Sequence, residues 1–155
     1  MITVKAVYFD MDGTIANLYA VEDWLPKLRA NDPTPYRDAK VMCNMALLAR
    51  YLKMLQKEGI KIGIISWLSK EPNDEYNKAV TMAKMKWLKA HLPSVTFDTV
   101  QIVAHGTPKA RMVEEAHLSI LFDDEQKNRD EWTGFAFEPE QIMPMLKVLV
   151  SAARG

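Results

Sequence analysis

The chain contains one cysteine, Cys43. A lone thiol excludes an internal disulfide framework, and a reducing compartment is its natural setting. No excess of either charge is present, because 20 basic residues meet 20 acidic ones. That balance excludes the basic footprint that long nucleic acid or an anionic membrane requires. No apolar run approaches the roughly 18 residues of a membrane span. The start, MITVKAVYFD, lacks the charged-then-apolar layout of a signal peptide, so a cytoplasmic protein is expected. His91, His105 and His117 are scattered, which gives a histidine-based metal site little support. Internal repeats and low-complexity linkers are absent.

What is present suits one domain spanning residues 1–155. An apolar fraction of 48% is enough for a full core. Ten methionines, mostly at helical spacing, read as core filler.

Along the chain, strand and helix patterns alternate. TVKAVYF (3–9) reads as a strand, and Asp10 to Thr14 as a turn in which Gly13 supplies positive φ. A short helix is expected around Trp24, Leu25 and Leu28, and NDPTP (31–35) is a breaker. Val41, Met45, Leu48, Leu52 and Leu55 form one apolar stripe on a long helix that ends at Gly59. IKIGIIS (60–66) is nearly continuous in isoleucine, as a strand buried on both faces requires. Asn73 or Asp74 can cap the next helix, whose apolar side carries Tyr76, Val80, Ala83, Trp87 and Leu88. TVQIV (99–103) is a third strand. Thr107 then caps a short helix with Pro108 at its first position. LSILF (118–122) is a fourth strand, Phe135 to Phe137 a short edge strand, and residues 140–153 a last helix.

This order predicts an α/β, Rossmann-like three-layer sandwich with a mainly parallel sheet. About 45 residues separate Thr14 from Ile60, more than one crossover helix needs. The excess, at about 17–37, is expected to form a small helical cap inserted after the first strand. It would sit over the carboxyl edge of the sheet, where open α/β sheets bind ligands.

The polar residues fall at those same strand ends. The first strand runs into Asp10 and Asp12, the second into Ser66, and the fourth into Asp123 and Asp124. Thr107 and Lys109 follow the third. Right-handed crossovers place all these ends on one edge. Clustered carboxylates repel strongly in a dry site, and a divalent cation resolves the conflict. Oxygen ligands without His or Cys favour Mg²⁺ over zinc. Mg²⁺ and Lys109 together would make a positive pocket for an anion. Ser66 and the backbone amides after Asp10 would add hydrogen-bond donors, a set suited to a phosphoryl group. Asp10 can then serve as nucleophile, and Asp12 as the group that moves protons.

Asp10-Met11-Asp12-Gly13-Thr14, Ser66 after IKIGII, Lys109, and Asp123-Asp124 together resemble the four motifs of the haloacid dehalogenase (HAD) superfamily of phosphohydrolases. The resemblance runs from about Val4 to Trp132. It implies that Asp10 is nucleophile and Mg²⁺ ligand, and that Asp12 is acid/base and offers its backbone carbonyl to the metal. It further implies that Ser66 and Lys109 hold phosphoryl oxygens, and that Asp123, more directly than Asp124, completes the metal site. Ser66, Asp74-Glu75-Tyr76, Lys86-Trp87-Leu88, Lys109 and Ile120 to Asp124 are similar to the 5′(3′)-deoxyribonucleotidase branch. Thr14 departs from that branch, which usually has valine there.

Other residues carry two readings each. Trp67 either lines a substrate pocket, stacking on a nucleobase, or packs in the core. Trp24 in the cap carries the same two readings, core ahead of pocket, whereas Trp87 reads as core and Trp132 as a cover for the sheet edge. Asn128 either orients the fourth motif or caps a helix. Lys27, Arg29 and Arg37 either attract a phosphate-bearing substrate or form a solvated face, the second reading ahead. The expected partner is a small phosphorylated substrate, a nucleoside 5′-monophosphate ahead of a sugar phosphate or a nucleic-acid end. Neither membrane nor long nucleic acid is expected, and a homodimer completing the short cap stays open. A non-catalytic phosphate-binding or signalling module, akin to a receiver domain, is the reading from another class.

Overall fold

The computed structural model describes residues 3–70 and 73–155. Its centre is a five-stranded sheet in the order β5-β4-β1-β6-β7, in which every pairing is parallel. The strands are β1 (Ala6–Phe9), β4 (Lys61–Trp67), β5 (Thr99–Val103), β6 (Ser119–Phe122) and β7 (Phe135–Phe137). In the central strand, Val7 pairs with Ile62 and Ile120, and Phe9 with Ile64 and Phe122. These apolar rows explain why β1 and β6 are buried along their whole length.

One face of the sheet carries the long helices α3 (Met45–Lys57), α4 (Asp74–His91) and α6 (Ile142–Arg154). Leu48, Leu52 and Leu55 of α3 and Leu146 and Leu149 of α6 meet Val7, Phe9, Ile62 and Phe122 in one core. The other layer is thin. Two 3₁₀ turns, Lys109–Met112 and Ala116–Leu118, and α5 (Gln126–Glu131) lie on that side. The nearby cluster is small and includes Ala6, Tyr8, Leu121 and Trp132. The three-layer α/β architecture is therefore present, with unequal layers.

Several details differ from the sequence reading. Val41 belongs to β3 (Lys40–Val41), not to α3, because Asn44 caps α3 by accepting from the Leu47 amide. The breaker NDPTP itself starts a helix, α2 (Thr34–Asp38), since Pro35 sits in a first turn whose amides need no partner. Thr107 spends its hydroxyl on the Ala104 carbonyl, so it does not cap the 3₁₀ turn that begins at Lys109. Asn73 does cap α4, through the Tyr76 amide. Met42, Met82 and Met85 are exposed, so methionine is core filler only in part.

The insertion after β1 is closed at its base by two short antiparallel strands, β2 (Ala16–Asn17) and β3, with Ala16 opposite Val41. Between them lie a 3₁₀ turn (Leu18–Ala20), α1 (Trp24–Arg29) and α2. Leu18 and Tyr36 pack on Tyr76 and Val80 of α4. The Trp87 indole donates to the Ala39 carbonyl at 2.7 Å, tying the base of the insertion to the core. Among the described residues, no helix is long and apolar enough to cross a membrane.

Candidate active site

Crossovers run from β1 out to β4 and β5, then return to β6 and β7. The order therefore reverses beside β1, the place where open α/β sheets leave a crevice. The sheet ladder continues one residue past two strand ends there. The Asp10 amide donates to the Phe122 carbonyl at 2.9 Å, and the Asp123 amide to the Phe137 carbonyl at 3.1 Å. Both carboxylates are thereby held on rigid backbone, where they line a cavity of about 490 Å³.

The turn after Asp10 is tight. The amides of Thr14, Ile15 and Ala16 all converge on the Met11 carbonyl, and the Gly13 amide donates to Ala16. The amides from Gly13 to Ala16 are therefore spent inside the turn and are not the free donors that the sequence suggested. Gly13 has φ +78°, and a Cβ there would overlap the Asp124 carboxylate and lie 2.8 Å from the Tyr19 ring. Thr14 is buried, and its hydroxyl donates to Asp10 Oδ2 at 3.0 Å.

Lys109 reaches into this cluster from the opposite side. Its Nζ is 2.9 Å from Asp10 Oδ1 and 2.7 Å from Asp123 Oδ2, and the side chain is almost wholly buried. Burial opposes the ammonium charge, yet Asp10 and Asp123 outweigh it and hold Lys109 above the usual lysine range. Asp123 is gripped further by Asn128 Nδ2 at 3.2 Å and by the Glu125 amide at 2.9 Å. Asn128 thus orients the fourth motif, and it caps nothing. Asp124 stands beside Asp10 and Asp123 in the same cluster.

Asp10, Asp123 and Asp124 each offer an oxygen, and the three lie within 4.8 Å of one another. Burial, then the charge of Asp10, pushes Asp123 up to about 6 and Asp124 up to about 8. Three crowded carboxylate oxygens form a donor set that a hard divalent cation fits. Asp123 and Asp124 each offer one oxygen to the cluster.

Asp12 stands on the same wall, partly exposed to the cavity. Burial raises its carboxyl above the usual range, and the adjacent Lys84 opposes that rise. Lys84 is the residue the sequence reading missed. It lies on α4, is 1% exposed, and donates to Asp12 Oδ2 at 2.9 Å and to Ser66 Oγ at 2.7 Å. The signal was available: Lys84 is four residues after Val80 and three before Trp87, so it occupies the apolar face of its helix. Ser66 is fully buried behind the cavity wall, with its hydroxyl accepting from Lys84.

The outer cavity is aromatic. Trp67 lines it, donates its indole N–H to the Thr107 carbonyl, and meets the His105 ring at 4.7 Å between centroids. Trp24, for which core is the favoured of two readings, lines the cavity beside Tyr19, with centroids 4.9 Å apart. Burial, then the charges of nearby aspartates, holds the Tyr19 and Tyr36 hydroxyls protonated. Arg29 also lines the cavity, whereas Arg37 pairs with Asp38 on the surface. Trp87 and Trp132 are core residues, and Trp132 packs edge-on against Tyr8.

No protein-family model matches the sequence, and no curated protein matches it. Solved structures do resemble it. A protein of Mesorhizobium loti, whose description as a HAD-like phosphatase is itself provisional, superposes with TM-score 0.58 at 13% identity. That match covers 99% of this chain and 88% of the other. The D,D-heptose 1,7-bisphosphate phosphatase of Burkholderia thailandensis gives TM-score 0.48 at 11% identity, covering 81% of this chain and 70% of that one. The HAD domain of the effector protein Lem4 from Legionella pneumophila, an inactive mutant, gives 0.46 at 16% identity, covering 96% and 94%. The first of these likenesses shows a shared fold, an α/β, Rossmann-like architecture.

Proposed function

We propose that the protein is a phosphomonoester hydrolase of the HAD type that works through an aspartyl-phosphate. One observation carries the reading. Asp10, aimed by Thr14 and paired with Lys109, stands at the cavity floor within one carboxylate cluster with Asp123 and Asp124. Asp10 attacks phosphorus, and the bond from phosphorus to the ester oxygen breaks as Asp12 gives that oxygen a proton. Water then attacks phosphorus and gives its proton to Asp12. The bond to Asp10 breaks, and inorganic phosphate leaves. Lys109 offsets negative charge on the phosphoryl oxygens. Asp10, Asp123 and Asp124 would hold Mg²⁺, which when bound supplies positive charge against the phosphoryl group.

The substrate we favour is a nucleoside 5′-monophosphate, as in the deoxyribonucleotidase branch. Trp67, Trp24, Tyr19 and His105 around the cavity support it, since a planar base stacks on aromatic faces. A cytoplasmic setting fits such a substrate. The test is phosphate release from ribo- and deoxynucleoside monophosphates, sugar phosphates and a 3′-phosphorylated oligonucleotide, with Mg²⁺ or with chelator. Chelator-sensitive release concentrated on nucleotides, lost in Asp10→Asn and weakened in Trp67→Ala, is the expected result. Release from sugar phosphates alone would keep the chemistry and discard the nucleotide. No release, with stable labelling by an acyl-phosphate donor, would instead indicate a signalling module.

A further inference from the structure

Lys84 makes a set of contacts that the reaction above does not use. Its ammonium donates to Asp12 Oδ2 at 2.9 Å, to Ser66 Oγ at 2.7 Å and to the Trp67 carbonyl at 2.7 Å. An ammonium has three protons, so all three are engaged within the protein. Its Nζ also lies 5.0 Å from the centroid of the Tyr36 ring. Lys84 is absent from the cavity lining, so it does not compete with Lys109 for a ligand.

A buried ammonium is costly, and an apolar side chain of similar length fills a core position more cheaply. Helix α4 nevertheless carries this lysine in line with Val80 and Trp87, both buried. Its three acceptors come from two different strand ends. Asp12 follows β1, whereas Ser66 and Trp67 close β4. The ammonium therefore ties the Asp12 side chain to rigid sheet backbone. The turn that carries Asp12 is also held by its own amide bonds, by the Thr14 hydroxyl on Asp10 and by the Met42 amide on the Ile15 carbonyl, but none of these touches the Asp12 carboxylate.

We infer that Lys84 is a positioning residue for Asp12. By anchoring Oδ2 it fixes the carboxylate plane and assigns the proton traffic of both half-reactions to Oδ1. Ser66 serves in the same unit, orienting Lys84 from the sheet. The inference rests on the phosphatase reading, and it predicts an effect that depends on the leaving group. An alkyl phosphate needs protonation of its departing oxygen, whereas p-nitrophenolate departs without it. A misdirected Asp12 should therefore harm the first ester far more than the second.

The experiment compares kcat/KM for a nucleoside 5′-monophosphate or another alkyl phosphate with kcat/KM for p-nitrophenyl phosphate. This parameter reports the steps up to formation of the aspartyl-phosphate. Lys84→Met should lower the alkyl value by ~100-fold, the low end of general-acid effects, and the aryl value by less than ~10-fold. In an Asp12→Asn background, adding Lys84→Met should cost less than ~3-fold on either ester, because the two residues act as one unit. That second pair also decides the matter if Lys84→Met alone does not fold, since it removes the unpaired buried carboxylate as well. Equal losses on both esters, or full additivity with Asp12→Asn, would overturn the positioning role alone. Absence of phosphate release from the unaltered protein would overturn the phosphatase reading, and this inference with it.

Discussion

The Thr14 hydroxyl donates to Asp10 Oδ2 at 3.0 Å from a position that is 1% exposed. The bond spans four residues of a tight turn, and it leaves Asp10 Oδ1 to Lys109. Both oxygens of the proposed nucleophile are therefore directed. Thr14→Val keeps the shape and removes the donor. A hydrogen bond to a charged group is worth about 1.5–3 kcal/mol, so kcat should fall at least about tenfold while the melting temperature changes little. Steady-state kinetics and thermal unfolding on the same preparation check this, and an unchanged kcat would remove Thr14 from the site.

Lys109 compensates two buried carboxylates at once, and removing it leaves both without their cation. Breaking a buried pair this way costs about 3–5 kcal/mol. Urea unfolding of Lys109→Met in chelator should show that loss. Added Mg²⁺ should return part of it, because a cation among Asp10, Asp123 and Asp124 replaces the missing charge. Equal stability with and without Mg²⁺ would count against a cation at this cluster.

Acid should stabilise the metal-free protein. Asp123 is pushed up to about 6 and Asp124 to about 8, by burial first and by Asp10 second. In the unfolded chain such carboxyls titrate near ~3.9. The folded protein thus binds protons that the unfolded chain has released. That stability is fully present below the unfolded value and is lost as pH rises through about 6 and then about 8. Asp12, also raised, acts with the same sign. In chelator the melting temperature should therefore fall from about pH 5.5 to about pH 8, and Asp124→Asn should flatten the slope. A rise over that range would contradict the carboxylate cluster.

Gly13 is where the turn admits no side chain. Its φ of +78° is strained for alanine, and the Asp124 carboxylate and Tyr19 ring fill the space a Cβ would need. Gly13→Ala should cost about 1–3 kcal/mol from backbone strain alone. It should also push Asp124 out of the cluster. Mg²⁺ titrated into the variant should then raise its melting temperature less than it does in the unaltered protein.

Much of this was legible in the residues before any fold was known. Isoleucine-rich IKIGII and the apolar LSILF read as strands buried on both faces, because each is a nearly continuous apolar run. Carboxylates at the ends of two such strands had to meet on one edge, because right-handed crossovers leave no other arrangement. The motif residues Asp10, Asp12, Lys109, Asp123 and Asp124 all line one cavity, so local pattern carried that much of the site.

What local pattern could not carry is how the charges pair. The sequence places Lys84 on the apolar face of its helix, but its role depends on an ammonium meeting a carboxylate 72 residues away. Trp24 reads as core or pocket from the sequence, and it lies in the cavity wall because the insertion folds over the carboxyl edge of the sheet. Ser66 sits at the expected strand end yet faces Lys84 behind the wall. The amino-acid sequence by itself determined the strands, their order of chemistry and the edge where it gathers, since these follow from hydrophobic period and chain handedness. The packing of α4 and of the insertion on that edge decided which cation serves which carboxylate, because buried charge is tolerated only where the tertiary structure supplies a partner.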